Sequence, residues 1–338
     1  MPVPMLFVIS SPRSGSTMLE RMLESHSQIL GGPEPHLLTP LAHLGIWDKV
    51  DKAPYDHVLA AESQKLFVDR LPRKDQDYWE ACRAYCDVLY GRFLEGSGKK
   101  ICLDKTPAYG LILPFMAKVF PDAKYVVLTR HPLATFSSYA NSFFDGDYQT
   151  AMNFNPLLQR YIPTMAKFLR QKDVPIFHIK YEDLVSDPEK WMEKIYAYIG
   201  VPFERDTVNY GEKPREPEAV KGLGDPIGVK QHTRPSTASL NKWVEELSMD
   251  GDKKALMERT IEALDSADLE TLGYPKADIW KPMEAAAGKT FTPKKQKLDR
   301  YRLQRKAIIR LRALAQRNAP FRKLLHTLRL GADVLLRE

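Results

Sequence analysis

A three-layer α/β fold around a central parallel sheet is the architecture that this 338-residue sequence predicts. The first observation is a set of four short apolar segments, each nearly continuous, as is typical of strands covered on both faces. They are residues 5–10, 100–104, 124–130 and 176–181. The second observation is that helical patterns lie between them, and strands that alternate with helices form right-handed crossovers within a parallel sheet.

Two of the helices are predicted from different signals. Over residues 76–95, apolar side chains recur every three or four positions and predict one buried stripe. That stripe is Tyr78, Cys82, Tyr85, Leu89 and Phe93. A second helix is expected after Asp187, which is a good N-cap, with Pro188 in the first turn and Gly200 at the end.

Beyond residue 200 the helical pattern is interrupted. Residues 201–239 are rich in Pro, Gly and charged side chains. Unpatterned segments of this length inside a domain are usually functional loops or disordered. Helical patterning returns at residues 240–247 and 253–272.

The composition is that of a globular protein outside the membrane, with 43% hydrophobic and 28% charged residues. No apolar run approaches the roughly 18 residues that span a bilayer. The first ten residues lack a basic region and a cleavage site, so they are interpreted as a strand rather than a signal peptide. The three cysteines are too few for a disulfide framework. We therefore expect a cytoplasmic protein, with peripheral attachment to a membrane as an open alternative.

The positive charge is concentrated at the C-terminal end. Residues 294–338 carry 14 Lys or Arg against 3 Asp or Glu, a balance of +11, while residues 1–293 carry −4. Apolar side chains can share one side of the helices predicted there. They are Leu298, Tyr301, Ile308, Leu311 and Leu314, then Phe321, Leu324, Leu325 and Leu328. We therefore divide the chain into a domain at 1–285 and a basic amphipathic helical tail at 286–338.

Two interpretations of this tail stay open. It can bind an anionic membrane surface or an acidic protein, or it can pack on the domain with a solvated basic face. We expect no nucleic-acid partner, because no aromatic platform for bases accompanies the charge.

The sharpest motif follows the first strand, where residues 12–17 read Pro-Arg-Ser-Gly-Ser-Thr before an apolar helix. Backbone N–H groups of such a turn point inward and the helix N-terminus adds partial positive charge, so the turn can hold an anion. Gly15 permits close backbone approach, and Arg13 adds charged donors that suit phosphate or sulfate. The hydroxyl groups come from Ser14, Ser16 and Thr17. The motif lacks the Lys of a Walker A loop, and an ordinary strand-to-helix turn is the alternative.

This motif resembles the 5′-phosphosulfate loop of the sulfotransferases that use PAPS (3′-phosphoadenosine 5′-phosphosulfate). The resemblance is to the branch of tyrosylprotein sulfotransferases and bacterial sulfotransferases, including the sulfotransferase domains of polyketide synthases. It covers residues 5–245 and implies a P-loop-like domain that binds PAPS through Arg13–Thr17 and needs no metal. The pair Asp145 and Asp147 fits that expectation, because no further carboxylates cluster with it in the sequence.

Further segments extend the resemblance to the rest of the donor. Arg130 ends a predicted strand and Ser138 follows eight residues later, the spacing of the family's 3′-phosphate site. Tyr181 begins a Tyr-Glu-Asp-Leu segment similar to the one that supports the family's nucleotide pocket. Lys230 lies in a segment that resembles the loop closing over PAPS. Each residue alone also fits an ordinary structural role.

Lys105 follows the strand at 100–104, at the edge where open α/β sheets bind their ligands. The resemblance implies that it neutralises charge on the transferring sulfuryl group and on the leaving phosphate. The alternative is a surface lysine on a loop.

Two residues compete for the role of general base, which a hydroxyl nucleophile requires. Glu34 follows a Gly-Gly-Pro turn, and its position resembles that of the family's glutamate base. His36 lies two residues later, and a histidine serves equally well near neutral pH. Both candidates stay open, as do their alternatives of a solvated carboxylate and a hydrogen-bonded loop histidine.

The predicted function is therefore transfer of a sulfuryl group from PAPS to a hydroxyl acceptor, with release of PAP. The acceptor is expected to be a small molecule or an acyl chain on a carrier protein. Two alternatives remain, a P-loop small-molecule kinase and a nucleotide-binding scaffold without turnover.

Overall fold

A computed structural model describes residues 2–32, 34–43, 57–212 and 233–289, together with residues 291, 314, 318–324 and 327–328 of the predicted tail. Its centre is a sheet of five parallel strands in the order β2-β3-β1-β4-β5. The strands are β1 (Met5–Ile9), β2 (Ile29–Leu30), β3 (Ile101–Asp104), β4 (Lys124–Thr129) and β5 (Ile176–Lys180). The predicted fold class and all four predicted strands are confirmed, whereas the two-residue β2 was not predicted.

Helices flank the sheet on both faces. In chain order they are α1 (Ser16–Glu24), α2 (Leu38–Ala42), α3 (His57–Val68), α4 (Asp75–Leu94), α5 (Leu113–Val119), α6 (Pro132–Phe144), α7 (Tyr148–Phe154), α8 (Leu157–Leu169), α9 (Tyr181–Ser186), α10 (Pro188–Ile199), α11 (Lys242–Met249), α12 (Gly251–Glu262), α13 (Ser266–Thr271) and α14 (Lys281–Glu284). Among the described residues, no helix is both long and apolar enough to cross a membrane.

The two faces of β1 carry separate halves of the core. Phe7 and Ile9 pack with residues of α4, α5, α6 and α8 on one side. Leu6 and Val8 pack with residues of α1, α9 and α10 on the other. Successive strand residues point to opposite faces, and all four of these side chains are fully buried. The continuous apolar pattern of the strand thus follows from helices on both faces, which gives the three layers.

The end signals predicted for one helix are confirmed in α10. The Asp187 side chain accepts a hydrogen bond from the Lys190 backbone N–H, and Pro188 occupies the first turn. Gly200 ends the helix in the left-handed region, with φ of 90°.

The buried face of α4 was predicted correctly at Cys82 and at Tyr78, which packs against the core, but wrongly at Tyr85, Leu89 and Phe93. Its buried residues are Cys82, Cys86 and Tyr90, whereas Tyr85 and Phe93 are about half exposed. The small cysteine side chains let the helix lie close to the core, and the Tyr90 hydroxyl donates to buried Asp104 at 2.6 Å. In this orientation the helix also makes a polar contact with β3, which apolar spacing alone did not predict.

The segments predicted as helical beyond residue 239 are α11, α12 and α13, with a break between α12 and α13 at the Asp265 cap. Described packing onto the core continues to Ala286. Most of the predicted tail lies outside the described residues, so the boundary at residue 285 stays a prediction.

Candidate active site

The loop between β1 and α1 folds tightly where the anion site was predicted. Arg13 and Gly15 both lie in the left-handed region, with φ of 70° and 91°. A Cβ atom on Gly15 would stand 2.5 Å from Cδ2 of Tyr181, so no other residue type fits. The Ser11 and Ser14 hydroxyls hydrogen-bond at 2.7 Å, and Ser14 is buried.

The structure brings Arg13, Ser138 and Arg130 together. Arg13 Nε donates to the Ser138 hydroxyl at 3.4 Å, across 125 residues of chain. Arg130 Nη1 donates to the Arg13 carbonyl at 3.0 Å. The two predicted phosphate sites are therefore neighbours, at the carboxyl ends of the paired strands β1 and β4.

Arg130 lies against Tyr181, the third residue predicted for the donor site. Its guanidinium lies 4.4 Å from the ring centroid, and Nη2 donates to the Ser239 carbonyl at 3.3 Å. The Tyr181 and Ser239 hydroxyls are 3.0 Å apart. Arg130 Nε is buried and has no hydrogen-bond partner among the described residues, and burial lowers the pKa of this guanidinium. A bound anion would give Nε an acceptor and offset the cost of burying its charge.

Ser239, in the segment after residue 232, is part of this site, and the sequence analysis did not predict it. Its segment, residues 228–243, was nevertheless the one expected to close over the donor. Lys230, which was predicted to bind the donor there, lies outside the described residues. Arg234 of the same segment is half exposed and pairs with Glu189 at 2.9 Å.

Lys105 is 2% exposed, although lysines usually lie at the surface. Its Nζ donates a hydrogen bond to Glu34 Oε1 and lies 3.4 Å from Glu20 Oε2. Burial alone would lower the pKa of Lys105, but the negative charges of Glu20 and Glu34 outweigh it and raise that pKa. The ammonium is therefore held charged at the end of β3.

Glu34 lies between the other two predicted catalytic residues, Lys105 and His36. The side chain of Glu34 is 12% exposed, and its Oε2 is 3.7 Å from Nε2 of His36, whose side chain is 41% exposed. Side chains at the two preceding glycines would be tightly placed, because a Cβ would stand 3.0 Å from Glu24 Cβ at Gly31 and 3.2 Å from Phe93 Cζ at Gly32. The predicted base candidates and Lys105 are thus one cluster.

A buried polar network supports the strand end before Lys105. Asp104 accepts hydrogen bonds from Tyr90 at 2.6 Å, and from Tyr109 and Thr106 at 3.0 Å each. Burial raises the pKa of Asp104 to about 6, and the hydrogen bonds oppose that rise. The network joins β3 to α4 and to the turn Pro107–Leu111 that follows.

Glu20 is the member of the cluster that sequence reasoning missed. It lies on α1, four residues after Ser16, and is 1% exposed. The available signal was an acidic residue among Leu19, Met22 and Leu23, all of which are buried. A carboxylate on a buried helix face requires a charged or polar partner.

His131, at the end of β4, contacts two residues of the segment after residue 239, Trp243 and Ile279. Its ring stacks on Trp243 with centroids 4.7 Å apart, and its backbone N–H donates to Glu182 at 3.0 Å. The carbonyl of Ile279 lies 3.1 Å from Nε2, which must donate to it. Burial lowers the pKa of His131 to about 4, so the ring is neutral at pH 7.

Of the pair Asp145 and Asp147, the second has a structural role. The Asp147 side chain caps α7 by accepting from the Thr150 backbone N–H at 2.9 Å and from its hydroxyl at 2.7 Å. Within the described ranges, no group of three or more metal-ligating side chains occurs.

Residues 4–205 match the family described as Sulfotransferase family. The chain belongs to the sulfotransferase family. The nodulation protein NoeE of Sinorhizobium fredii is 26% identical over 82% of this chain and 67% of its own length. Protein-tyrosine sulfotransferase 1 of Danio rerio is 22% identical over 73% of this chain and 68% of its own.

Among solved structures, the sulfotransferase domain from the curacin biosynthetic pathway superposes with a TM-score of 0.51 at 24% identity. The match covers 71% of this chain and 90% of that domain, and it supports the fold. The predicted family and enzyme class are confirmed: the chain is an enzyme of the sulfotransferase family, in which PAPS is the sulfuryl donor.

Proposed function

We propose that this sulfotransferase moves the sulfuryl group of PAPS to a hydroxyl acceptor by in-line attack and releases PAP. The observation that carries the proposal is the contact between two arginine-bearing strand ends, Arg130 Nη1 to the Arg13 carbonyl at 3.0 Å. PAPS has two separate anionic groups, the 5′-phosphosulfate and the 3′-phosphate. A site with two adjacent cationic loops matches that charge distribution.

For the donor, we assign the 5′-phosphosulfate to the loop Arg13–Thr17 and the N-terminus of α1, which supplies backbone donors and partial positive charge. We assign the 3′-phosphate to Arg130 and Ser138. The buried Nε of Arg130, which has no hydrogen-bond partner in the part of the chain that the structure describes, supports this assignment. Tyr181 packs against both Arg130 and Gly15, and Lys230 stays a predicted donor ligand.

For the chemistry, PAPS supplies an activated sulfuryl group, and the protein supplies a base and a cation. Glu34 is the proposed base, because its enclosed carboxylate is already hydrogen-bonded to Lys105. His36 is the second candidate, since it lies 3.7 Å from Glu34 on the solvent side. Lys105 stabilises the negative charge that moves from sulfur to the leaving phosphate oxygen.

The proposed acceptor is a hydroxyl on a small molecule or on an acyl chain attached to a carrier protein. The segments expected to shape its pocket, residues 36–71 and 201–239, lie partly outside the described residues. The tail is proposed to bind an anionic membrane surface or an acidic protein. Three of its described apolar residues, Leu314, Leu324 and Leu328, are 49%, 54% and 60% exposed, whereas Phe321 is partly buried. A cytoplasmic location and the absence of a nucleic-acid partner stay predictions.

Donor choice can be tested by thermal denaturation with PAP, PAPS and ATP at equal concentrations. We expect PAP and PAPS to raise the melting temperature and ATP to raise it much less, because ATP lacks a 3′-phosphate. Equal stabilisation by ATP would contradict the assignment of Arg130 and Ser138 and would favour a kinase.

Turnover is tested by transfer of labelled sulfate from PAPS into a metabolite pool and into carrier-attached acyl chains, followed by identification of the product. Lys105→Ala should bind PAP and transfer almost nothing, while Arg170→Ala, which removes an exposed pair with Asp268, should behave as wild type. Binding of PAP without transfer by the wild-type protein would favour the scaffold interpretation.

A further inference from the structure

Glu20 is a buried carboxylate that the proposed reaction does not yet use. Its side chain is 1% exposed on α1, the helix that begins at the anion loop. The other buried residues of this helix are the apolar Leu19, Met22 and Leu23 and the polar Ser16 and Arg21. Burying a carboxylate costs several kcal/mol unless a charged partner compensates. A glutamate at this position therefore requires an explanation.

The structure supplies the partner. Glu20 Oε2 lies 3.4 Å from Nζ of Lys105, and both side chains are 1% exposed. Lys105 also donates to Glu34. One ammonium is thus shared by two carboxylates, of which Glu20 is enclosed and Glu34 faces the mouth of the site beside His36.

The titratable groups near Lys105 lie on several different elements of the fold. Glu20 belongs to α1, Glu34 and His36 to the segment after β2, and Asp104 to the same strand end as Lys105. Tyr161 of α8 is close enough to Glu34 that the charge of Glu34 contributes to raising the pKa of Tyr161. Glu20 and Glu34 are the groups whose charges favour the protonated form of Lys105.

The two carboxylates have different roles in the proposed reaction, on which this inference rests. As the acceptor oxygen bonds to sulfur, Glu34 takes the acceptor proton, and the electron pair of the breaking S–O bond leaves with PAP. Glu34 then becomes neutral and stops compensating the charge on Lys105. A buried lysine without an anionic partner favours its neutral form, which would remove the cation when negative charge develops on the leaving phosphate.

We propose that Glu20 is a positioning residue. It keeps the Lys105 ammonium charged and in place while Glu34 gives up its hydrogen bond to Lys105 and takes the proton of the acceptor hydroxyl. Glu20 does not touch the reacting atoms. It acts through Lys105, and the buried helix face prevents it from turning away with Glu34.

The test measures the charge on Lys105 directly, by NMR titration of protein labelled with ¹³C and ¹⁵N at lysine. Lys105→Arg identifies the resonance. Glu34→Gln imitates Glu34 after it has taken the proton, and here we expect Lys105 to stay protonated over the range in which the protein is folded. Adding Glu20→Gln should lower the titration midpoint of Lys105 by about one to three pH units, the usual effect of an adjacent opposite charge.

The kinetic counterpart is the pH profile of sulfate transfer from PAPS. Glu20→Gln should lower kcat more than it changes KM for PAPS, and should move the basic limb of kcat to lower pH by about one to three units. Glu20→Asp, which keeps the charge, should restore much of kcat, and it also serves as the test variant if Glu20→Gln does not fold. Glu258→Gln, which removes an exposed glutamate paired with Lys254 on α12, is the control and should leave both limbs unchanged.

Two results would overturn the proposal. One is that the titration midpoint of Lys105 in Glu34→Gln stays the same when Glu20→Gln is added. The other is a lowered midpoint without any change in kcat or its basic limb, which would leave Glu20 a structural partner only. If the wild-type protein transfers no sulfate from PAPS, the proposed function fails and the kinetic role fails with it, whereas the NMR titration still decides whether Glu20 sets the charge of Lys105.

Discussion

Tyr181 stands between the two anion sites: its ring lies 4.4 Å from the Arg130 guanidinium, and its edge closes the space beside Gly15. The Tyr181 hydroxyl also contacts Ser239, at 3.0 Å. One side chain therefore fixes the distance between the phosphosulfate loop and the proposed 3′-phosphate site. A disturbance on either side of this ring should affect binding of the whole donor.

Gly15→Ala tests this relationship. An added methyl group would stand 2.5 Å from the Tyr181 ring at a backbone φ of 91°, so we expect loss of PAP binding as well as stability. Gly96→Ala is the matched control, because Gly96 has a φ of 76° and nothing within 4 Å of the added Cβ. The control should cost only the backbone strain, about 1–2 kcal/mol. Urea denaturation and PAP titration measure both effects, and retained PAP binding in Gly15→Ala would contradict the role of this contact.

Arg130→Ala should weaken binding of the donor without removing the chemistry. We expect a loss of about 10- to 100-fold in PAP affinity, as for a lost hydrogen bond between charged groups. Adenosine 5′-monophosphate, which lacks the 3′-phosphate, should bind wild type and variant alike. Calorimetric titration of both nucleotides separates the two cases. A parallel loss for both would mean that Arg130 supports the pocket instead of binding the 3′-phosphate.

The sequence predicted the parts of this protein that depend on local pattern. Four strands were found because their segments are nearly continuously apolar; β1 is buried throughout, whereas β5 at the edge of the sheet is mostly only partly buried. Arg13 was proposed from the small-residue turn after β1, Lys105 from its place at a strand end, and Arg130 from its resemblance to the family's 3′-phosphate site. The contact between Arg130 and the Arg13 carbonyl, by contrast, was not predicted.

The features that the sequence did not predict depend on contacts between segments that are distant in the chain. The two-residue β2 is too short for a periodic signal, and its pairing with β3 decides where Glu34 lies. The buried face of α4 includes Tyr90, whose hydrogen bond to Asp104 is a contact that apolar spacing does not encode. Glu20 looked like an ordinary helix residue, because its partner Lys105 lies 85 positions away in the sequence.

The general base can be decided by substitution combined with pH. Glu34→Gln and His36→Gln keep approximate size and remove the proton acceptor. Loss of a general base usually costs about 10²–10⁴-fold in rate, and we expect that loss for Glu34→Gln, together with loss of the acidic limb of the pH–rate profile. His36→Gln should retain most of the rate. The opposite pattern would assign the base to His36, and near-normal rates in both variants would exclude both.

We expect the protein to lose stability in mild acid because His131 is buried in its neutral form. Burial lowers its pKa from 6.5 to about 4 in the folded state, so between these values the unfolded chain binds more protons and stability falls as the pH falls. The contribution is fully present above pH 6.5 and is lost as the pH approaches about 4. His131→Phe keeps a ring against Trp243 and removes the titration. Urea denaturation at several pH values should show a shallower decline for this variant than for wild type, and identical declines would contradict the assignment.

The basic tail gives a prediction that is independent of the chemistry. Residues 294–338 carry a balance of +11, and an apolar side flanked by Lys and Arg is typical of helices that bind anionic surfaces. The full chain should bind anionic liposomes or an acidic carrier protein, more weakly at physiological than at low salt because exposed charges are screened.

Removal of residues 294–338 should abolish that binding and leave PAP binding and transfer to a small soluble acceptor largely intact, because every described donor-site residue lies before residue 245. Sedimentation with liposomes, thermal denaturation and sulfate transfer measure the three properties. A truncated protein that unfolds would instead show that the tail is a packed helix of the domain, and its basic face would then be solvated surface.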